Sequence, residues 1–275
     1  MNHLGRVGLR IRGLTKVFSV PSGPVFALKG VDLQIDPGGL VAIVGHNGSG
    51  KTTLLNLIAG DYYPENGAIV SWDGSGECDW TRLPGWVRAR HVARVLQDPA
   101  RGTVGELTVE ENLWLASLKN GMPSPFRFST SGSSRRDLSA RLVRVGLEDR
   151  FATRVDELSG GQRQMLAVEL ALLRHPSVLL LDEHTASLDR RNAAQCMSLT
   201  ESVCREAGIT VLLVTHNLSD AASFGDRVIV MQDGRIVADL PGARHSGLTG
   251  DELYQRCGYA LPRTGSDIAG AYSPA

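Results

Sequence analysis

GLVAIVGHNGSGKTTLLNLIAG, residues 39–60, decides the fold. Its first seven residues are a continuous apolar run of the kind buried on both faces of a parallel sheet. Leu54, Leu57 and Ile58 then recur at helical spacing, and Gly60 supplies the stop. Between strand and helix stand Gly45, His46, Asn47, Gly48, Ser49, Gly50, Lys51 and Thr52, followed by Thr53. They fit G-x-x-x-x-G-K-[ST] in the strand-to-helix setting that the pattern needs. Glycines let a backbone wrap round phosphates, and amides at a helix N-terminus add positive potential. A lysine here reaches the β- and γ-phosphates, and the threonine hydroxyl ligates Mg²⁺. Residue frequencies alone would produce such a match about once in a hundred chains of this length. The reading is therefore a nucleoside triphosphate site and not a structural glycine-rich turn.

Downstream, VLLLDEHTASLD (178–189) is a second apolar strand, ending in Asp182, Glu183 and His184. It carries Asp182 to the carboxyl edge of the sheet, where ligands bind in open α/β folds. One carboxylate there can hold Mg²⁺, usually through water. Side chains alternate along a strand, so Glu183 is expected to point elsewhere and to polarise an attacking water. His184 reads as a turn residue without a catalytic role. Further upstream, LSGGQ (158–162) puts Ser159, Gly160 and Gly161 at the start of a long helix, closed by Gln162. That is a second anion-binding nest. One chain needs only one phosphate cradle, so two suggest a site shared between subunits.

Elsewhere the chain alternates between helical and strand patterns, which argues for a mostly parallel sheet covered by helices. Val7 to Ile35 reads as short alternating strands broken by PSGP and DPGG, and GAIVSWDG as another strand. Residues 99–157 read as a mainly helical insertion: Thr108 and Glu111 are spaced as a capping box, and NGMPSPFRFSTSGSS as a surface loop. A helix near 162–174 precedes strand SVLLLD, and QCMSLTESVCREAG precedes strand TVLLVTH. A hairpin turns at Asp233-Gly234. The expected division is one domain over 1–257 and a loose tail over 258–275.

Composition narrows the class. With 275 residues, the chain is long enough to bury a core. Lys+Arg and Asp+Glu balance at 29 each, so no global basic field points to nucleic acid. Cys78, Cys196, Cys204 and Cys257 form no C-x-x-C pair, as expected of reduced thiols in a cytosolic protein. The start lacks a signal-peptide apolar region, and no run approaches the ~20 apolar residues that span a bilayer. Work at a membrane would then need another polypeptide.

On GHNGSGKT, LSGGQ and VLLLDE in this order, the chain resembles the ATP-binding cassette (ABC) transporter ATPases from about residue 9 to about 240. The resemblance implies a P-loop (RecA-like) α/β core with a mostly parallel sheet. It also implies an N-terminal antiparallel β-subdomain and an inserted α-helical subdomain. In that family two subunits pack head to tail, each ATP lying between the phosphate loop of one and the LSGGQ of the other. Carried over by position, Phe18 in LTKVF stacks on adenine, although a core aromatic on a strand would look the same. Gln97 in VLQDP senses Mg²⁺ and the γ-phosphate, and Asp189 in ASLD belongs to the loop that crosses the dimer. His216 in LLVTHN contacts the γ-phosphate from its own subunit.

VARVLQDPARGTVGELTVEENL, LLLDEHTASLD and LTGDELYQRCG are further similar to a bacterial import subfamily tied to tryptophan/tyrosine uptake. That subfamily has histidine where most cassettes have proline after the glutamate, so His184 marks it. The resemblance implies ATP and Mg²⁺ as cofactors and a homodimer bound to integral membrane permease subunits. It also implies an extracytoplasmic solute-binding protein in the same system and a peripheral place on the cytoplasmic face of the inner membrane. Two other readings compete: a soluble cassette ATPase not coupled to transport, and a helicase with an Asp-Glu-x-His box. Ribosomal cassettes carry two copies per chain and repair cassettes carry long coiled coils, whereas here there is one LSGGQ and no sustained heptads. The helicase box has its histidine one place later and leaves LSGGQ unexplained.

Overall fold

The chain enters its fold through a long β-hairpin. In the computed structural model, which describes residues 6–117, 132–242, 247 and 249–257, β1 (Gly8–Val20) pairs antiparallel with β2 (Gly23–Ile35) across Pro21-Ser22. The short runs expected here are thus two strands of 13 residues. Register shifts between Ile11 and Leu14 and again near Val17 bend the pair without ending it. With β4 (Asn66–Asp73) and β5 (Gly76–Asp79) they form an antiparallel sheet in the order β2-β1-β4-β5.

The second sheet runs β10-β9-β3-β8-β7-β6. Its members are β3 (Leu40–Val44), β6 (Val92–Val95), β7 (Val178–Asp182), β8 (Thr210–Val214), β9 (Arg227–Gln232) and β10 (Arg235–Pro241). All pairings are parallel except β9 with β10. That hairpin turns at Asp233 and Gly234, with φ of 49° and 78°, the two left-handed residues of a type I′ turn. β6 was not anticipated, because four residues containing Arg94 carry too little apolar pattern to read as a strand.

Eight helices accompany the sheets among the described residues: α1 (Lys51–Ala59), α2 (Gly85–Arg88), α3 (Val109–Ser117), α4 (Gly132–Arg144), α5 (Gly160–Leu172), α6 (Arg190–Ala207), α7 (Leu218–Phe224) and α8 (Gly250–Cys257). The parallel strands are buried on both sides, and alternation assigns each side chain its face. Val178 and Leu180 of β7 join Leu54, Leu57 and Ile58 of α1 and the inner face of the first sheet. Leu179 and Leu181 join Leu166 of α5, Cys196 of α6, and Leu113, Leu138 and Leu142 of the helical segment. The expected insertion therefore shares one continuous apolar cluster with the lower face of the sheet. Thr108 and Glu111 form the expected capping box: the carboxylate accepts from the Thr108 amide at 2.7 Å, and the hydroxyl accepts from the Glu111 amide at 3.2 Å. α4 opens at Gly132, so Gly132 to Ser134 are helix and not loop. The rest of that loop, residues 120–131, and the tail 258–275 lie outside the described residues. Among the described residues no helix is long and apolar enough to cross a membrane.

Candidate functional site

Gly45 to Thr52 leaves the end of β3 and turns into α1. Each key glycine is there for want of a side chain. Gly45 has φ 153°, and a Cβ on it would stand 2.1 Å from the Met231 carbonyl of β9. Gly50, the N-cap of α1, has φ 101°, and a Cβ would meet the Ala27 carbonyl of β2 at 2.6 Å. Lys51 folds back over the loop, donating to the carbonyls of Gly45 and His46 at 2.8 Å each. Burial pushes its ammonium below the usual range, while Glu183 and Asp182 pull it the other way. The buried Ser49 hydroxyl has no hydrogen-bond partner among the described residues. His46, Asn47, Gly48 and Thr52 face solvent. A buried ammonium, an orphan hydroxyl and glycine-held amides are the donors that a polyphosphate needs.

Beside the loop, β7 ends at Asp182 and β8 ends just before Thr215 and His216. Glu183 leaves the strand with φ 50°, its amide donating to the Val214 carbonyl at 2.9 Å. Glu183 is therefore set by a left-handed backbone and not by the pleat alternation expected from sequence, and both carboxylates act on Lys51. Glu183 Oε2 lies 3.5 Å from Nδ1 of His216, so these two expected site residues stand together. Arg94, unremarked in the sequence, donates to Asp182 Oδ2 at 2.6 Å. Gln97 is exposed in the loop just after β6. Asp182 at the end of β7, Thr52 in the first turn of α1 and Gln97 just after β6 would offer a Mg²⁺·phosphate complex one carboxylate, one hydroxyl and one amide side chain. That set suits Mg²⁺, which keeps waters and phosphate oxygens for its other positions.

A second group assembles apart from the first. Ser159 caps α5: its hydroxyl accepts from the Gln162 amide at 3.2 Å, and the Gln162 side chain accepts from the Ser159 amide at 3.1 Å. Asp189 caps α6, accepting from the Asn192 amide at 3.0 Å and its side-chain nitrogen at 2.5 Å. These bonds hold the Asp189 carboxyl below its ordinary range. Asn192 also packs on Gly161, where a Cβ would stand 3.2 Å from its Cγ. LSGGQ and the Asp189 loop thus meet through Asn192, which no sequence pattern had marked. No hydrogen bond among the described residues joins this group to Gly45–Thr52.

Phe18 is half-buried at the far end of β1, its ring edge-on to Tyr62 at 5.4 Å between centroids. The Lys16 ammonium lies 5.3 Å from the Phe18 ring centre, held by the Tyr63 carbonyl and Glu65. Tyr62 and Lys16 were also missed: Tyr62 is brought to Phe18 from the connection after α1, and Lys16 lies two residues before Phe18 on β1. His184 is a turn residue as expected, yet fully buried, with both ring nitrogens unpartnered among the described residues.

A family model described as ABC transporter matches residues 28–186. A tyrosine transport ATP-binding protein from Clostridioides difficile is 36% identical over 254 residues, covering 92% of this chain and all of that one. An aliphatic sulfonates import ATP-binding protein from Rhodopseudomonas palustris is 37% identical, over 86% of this chain and 74% of its own. Among solved structures, a dimeric ATP-binding cassette in a post-hydrolysis state with ADP and Pi matches with a TM-score of 0.70 and 30% identity. It covers 85% of this chain and 98% of that one. cbiO1 from Clostridium perfringens, part of an ABC transporter complex, matches with a TM-score of 0.73 and 27% identity. That match covers 95% and 98% of the two chains.

Proposed function

The chain belongs to the ABC transporter family, as an ATPase of its import-type ATP-binding subunits, and from that premise we propose how it works. It powers uptake of a small solute through separate permease subunits, sitting peripherally on the cytoplasmic face of the membrane. The observation that carries this reading is the meeting of Lys51, Asp182, Glu183 and His216 at one sheet edge.

Gly45 to Thr53 bind the phosphates of ATP through amides, the Ser49 hydroxyl and the Lys51 ammonium. Thr52, Asp182 and Gln97 would hold Mg²⁺, which supplies charge neutralisation across the phosphates when bound. Glu183 orients and polarises the attacking water, and His216 holds Glu183 in place and contacts the γ-phosphate. Phe18 takes the base. Ser159, Gly160, Gly161 and Gln162, with Asp189, complete the site of a second copy of the chain. The capping box at the start of α5 uses the Ser159 and Gln162 amides and leaves those of Gly160 and Gly161 for that purpose. ATP then favours the closed dimer because only that state offers both cradles.

The family likeness to a tyrosine transport ATP-binding protein supports an aromatic amino acid as cargo, delivered by an extracytoplasmic binding protein. The balance of charge gives no footing for nucleic acid. Uptake of labelled tyrosine and tryptophan by cells lacking this chain tests the assignment. Loss of uptake, restored by the intact chain but not by Lys51→Ala, is the expected result. Undiminished uptake of both amino acids overturns the cargo, and co-purification with ribosomes instead of a permease overturns transport itself.

A further inference from the structure

Arg94 is the cation nearest the metal-binding carboxylate, and its place follows from register. It pairs with Leu180 of β7, and Leu180 faces α1. Two residues on, Asp182 returns to that same face. The Arg94 fork therefore reaches across to Asp182 Oδ2 at 2.6 Å through one terminal nitrogen. The other terminal nitrogen donates to Asn56 Oδ1 of α1 at 2.5 Å and reaches Asp61 Oδ2 at 3.2 Å. Side-chain exposures of 18% for Arg94 and 14% for Asp182 mean that water screens this pair poorly. The guanidinium is planar and anchored at both ends, so it cannot swing away as a lysine would.

We propose that Arg94 decides how Asp182 meets the divalent cation. It takes Oδ2 and leaves Oδ1 alone, holding the carboxylate to one-oxygen coordination, direct or through water. Mg²⁺ accepts this readily, since it demands octahedral geometry with single-oxygen ligands. Ca²⁺ gains from bidentate carboxylates and loses by the restriction. Arg94 is thus a positioning residue for metal choice, tied through Asn56 and Asp61 to the helix that begins at the phosphate loop. The inference rests on the assignment of Asp182 to the metal.

The test is equilibrium binding of Mg²⁺ and Ca²⁺ to the full chain with a non-hydrolysable ATP analogue, by competition against Mn²⁺ followed by electron paramagnetic resonance. In Arg94→Gln, Ca²⁺ should bind roughly tenfold tighter, about the worth of one charge-assisted contact, with Mg²⁺ changing far less. Arg94→Lys should fall between. Asp61→Asn loosens the far end of the fork while keeping the guanidinium, and should move the Ca²⁺-to-Mg²⁺ ratio the same way by less. An unchanged ratio in a folded Arg94→Gln protein overturns the proposal. If that variant does not fold, an unchanged ratio in Asp61→Asn overturns it instead. Asp182→Asn separates the two levels: if it weakens neither ion, the metal assignment fails, whatever Arg94 does.

Discussion

His184 shows what a single residue can hide. It follows Glu183, yet its ring is fully buried, and burial pushes its imidazole down to about 4. The folded state keeps it neutral, whereas the unfolded chain takes up a proton near pH 6.5. The unfolded state therefore binds more protons between those values, so stability is full above about pH 6.5 and is lost as pH falls toward 4. Replacing the ring with a non-titrating side chain, as in His184→Leu, should flatten that slope. Urea titrations at pH 7.5 and pH 4.5 should show the gap between the two proteins shifting by up to about 3 kcal/mol in favour of the variant. Equal slopes would mean that the ring is not buried in solution. Position 184 was legible as a turn, but its burial was not, because polarity on a sequence says nothing about which side of a turn packs inward.

At the scale of elements, α1 is the part that has to stay put, since it carries Lys51 and Thr52 at its start. Its far end is secured by Arg88, a fully buried guanidinium from α2. Arg88 donates to the carbonyls of Leu57 and Ile58, to Leu83 at 3.0 Å and to Thr81 at 3.2 Å. These are the orphan acceptors that a helix end and its neighbouring turn leave behind. Arg88→Met keeps much of the volume and removes the donors, leaving several buried carbonyls unpaired. It should cost at least about 2 kcal/mol, read from the urea midpoint, with nucleotide affinity in the folded fraction little changed. A shift within about 0.5 kcal/mol would show that those carbonyls find other donors. The strands and helices that frame the site were readable from apolar period and capping residues. Arg88 and the short β6 were not: the α1 carbonyls that Arg88 reaches lie about 30 residues back, and four residues containing Arg94 show too little apolar pattern.

Across the whole molecule the proposed site falls into two halves. Gly45–Thr52 gathers with Asp182, Glu183 and His216, while Ser159–Gln162 gathers with Asp189 around Asn192. A second copy turned head to tail would bring one half to the other, and the neutral formal charge sets up no net repulsion against it. Glu183→Gln keeps the shape of the first half and removes the group proposed to polarise water. It should turn over at least about a hundredfold more slowly while forming a dimer only with ATP, seen by size-exclusion chromatography with light scattering. A variant that stays monomeric with ATP, or that hydrolyses normally, would contradict the shared site. From the sequence alone came the phosphate loop, the paired acids, LSGGQ and the α/β class, because each rests on neighbouring residues whose backbone chemistry is local. Tertiary structure alone decided that Arg94 grips Asp182, that Asn192 joins Gly161 to Asp189, and that Glu183 turns on a left-handed backbone toward His216. Those contacts depend on strand order and register, which arise only when distant segments bury their apolar faces together.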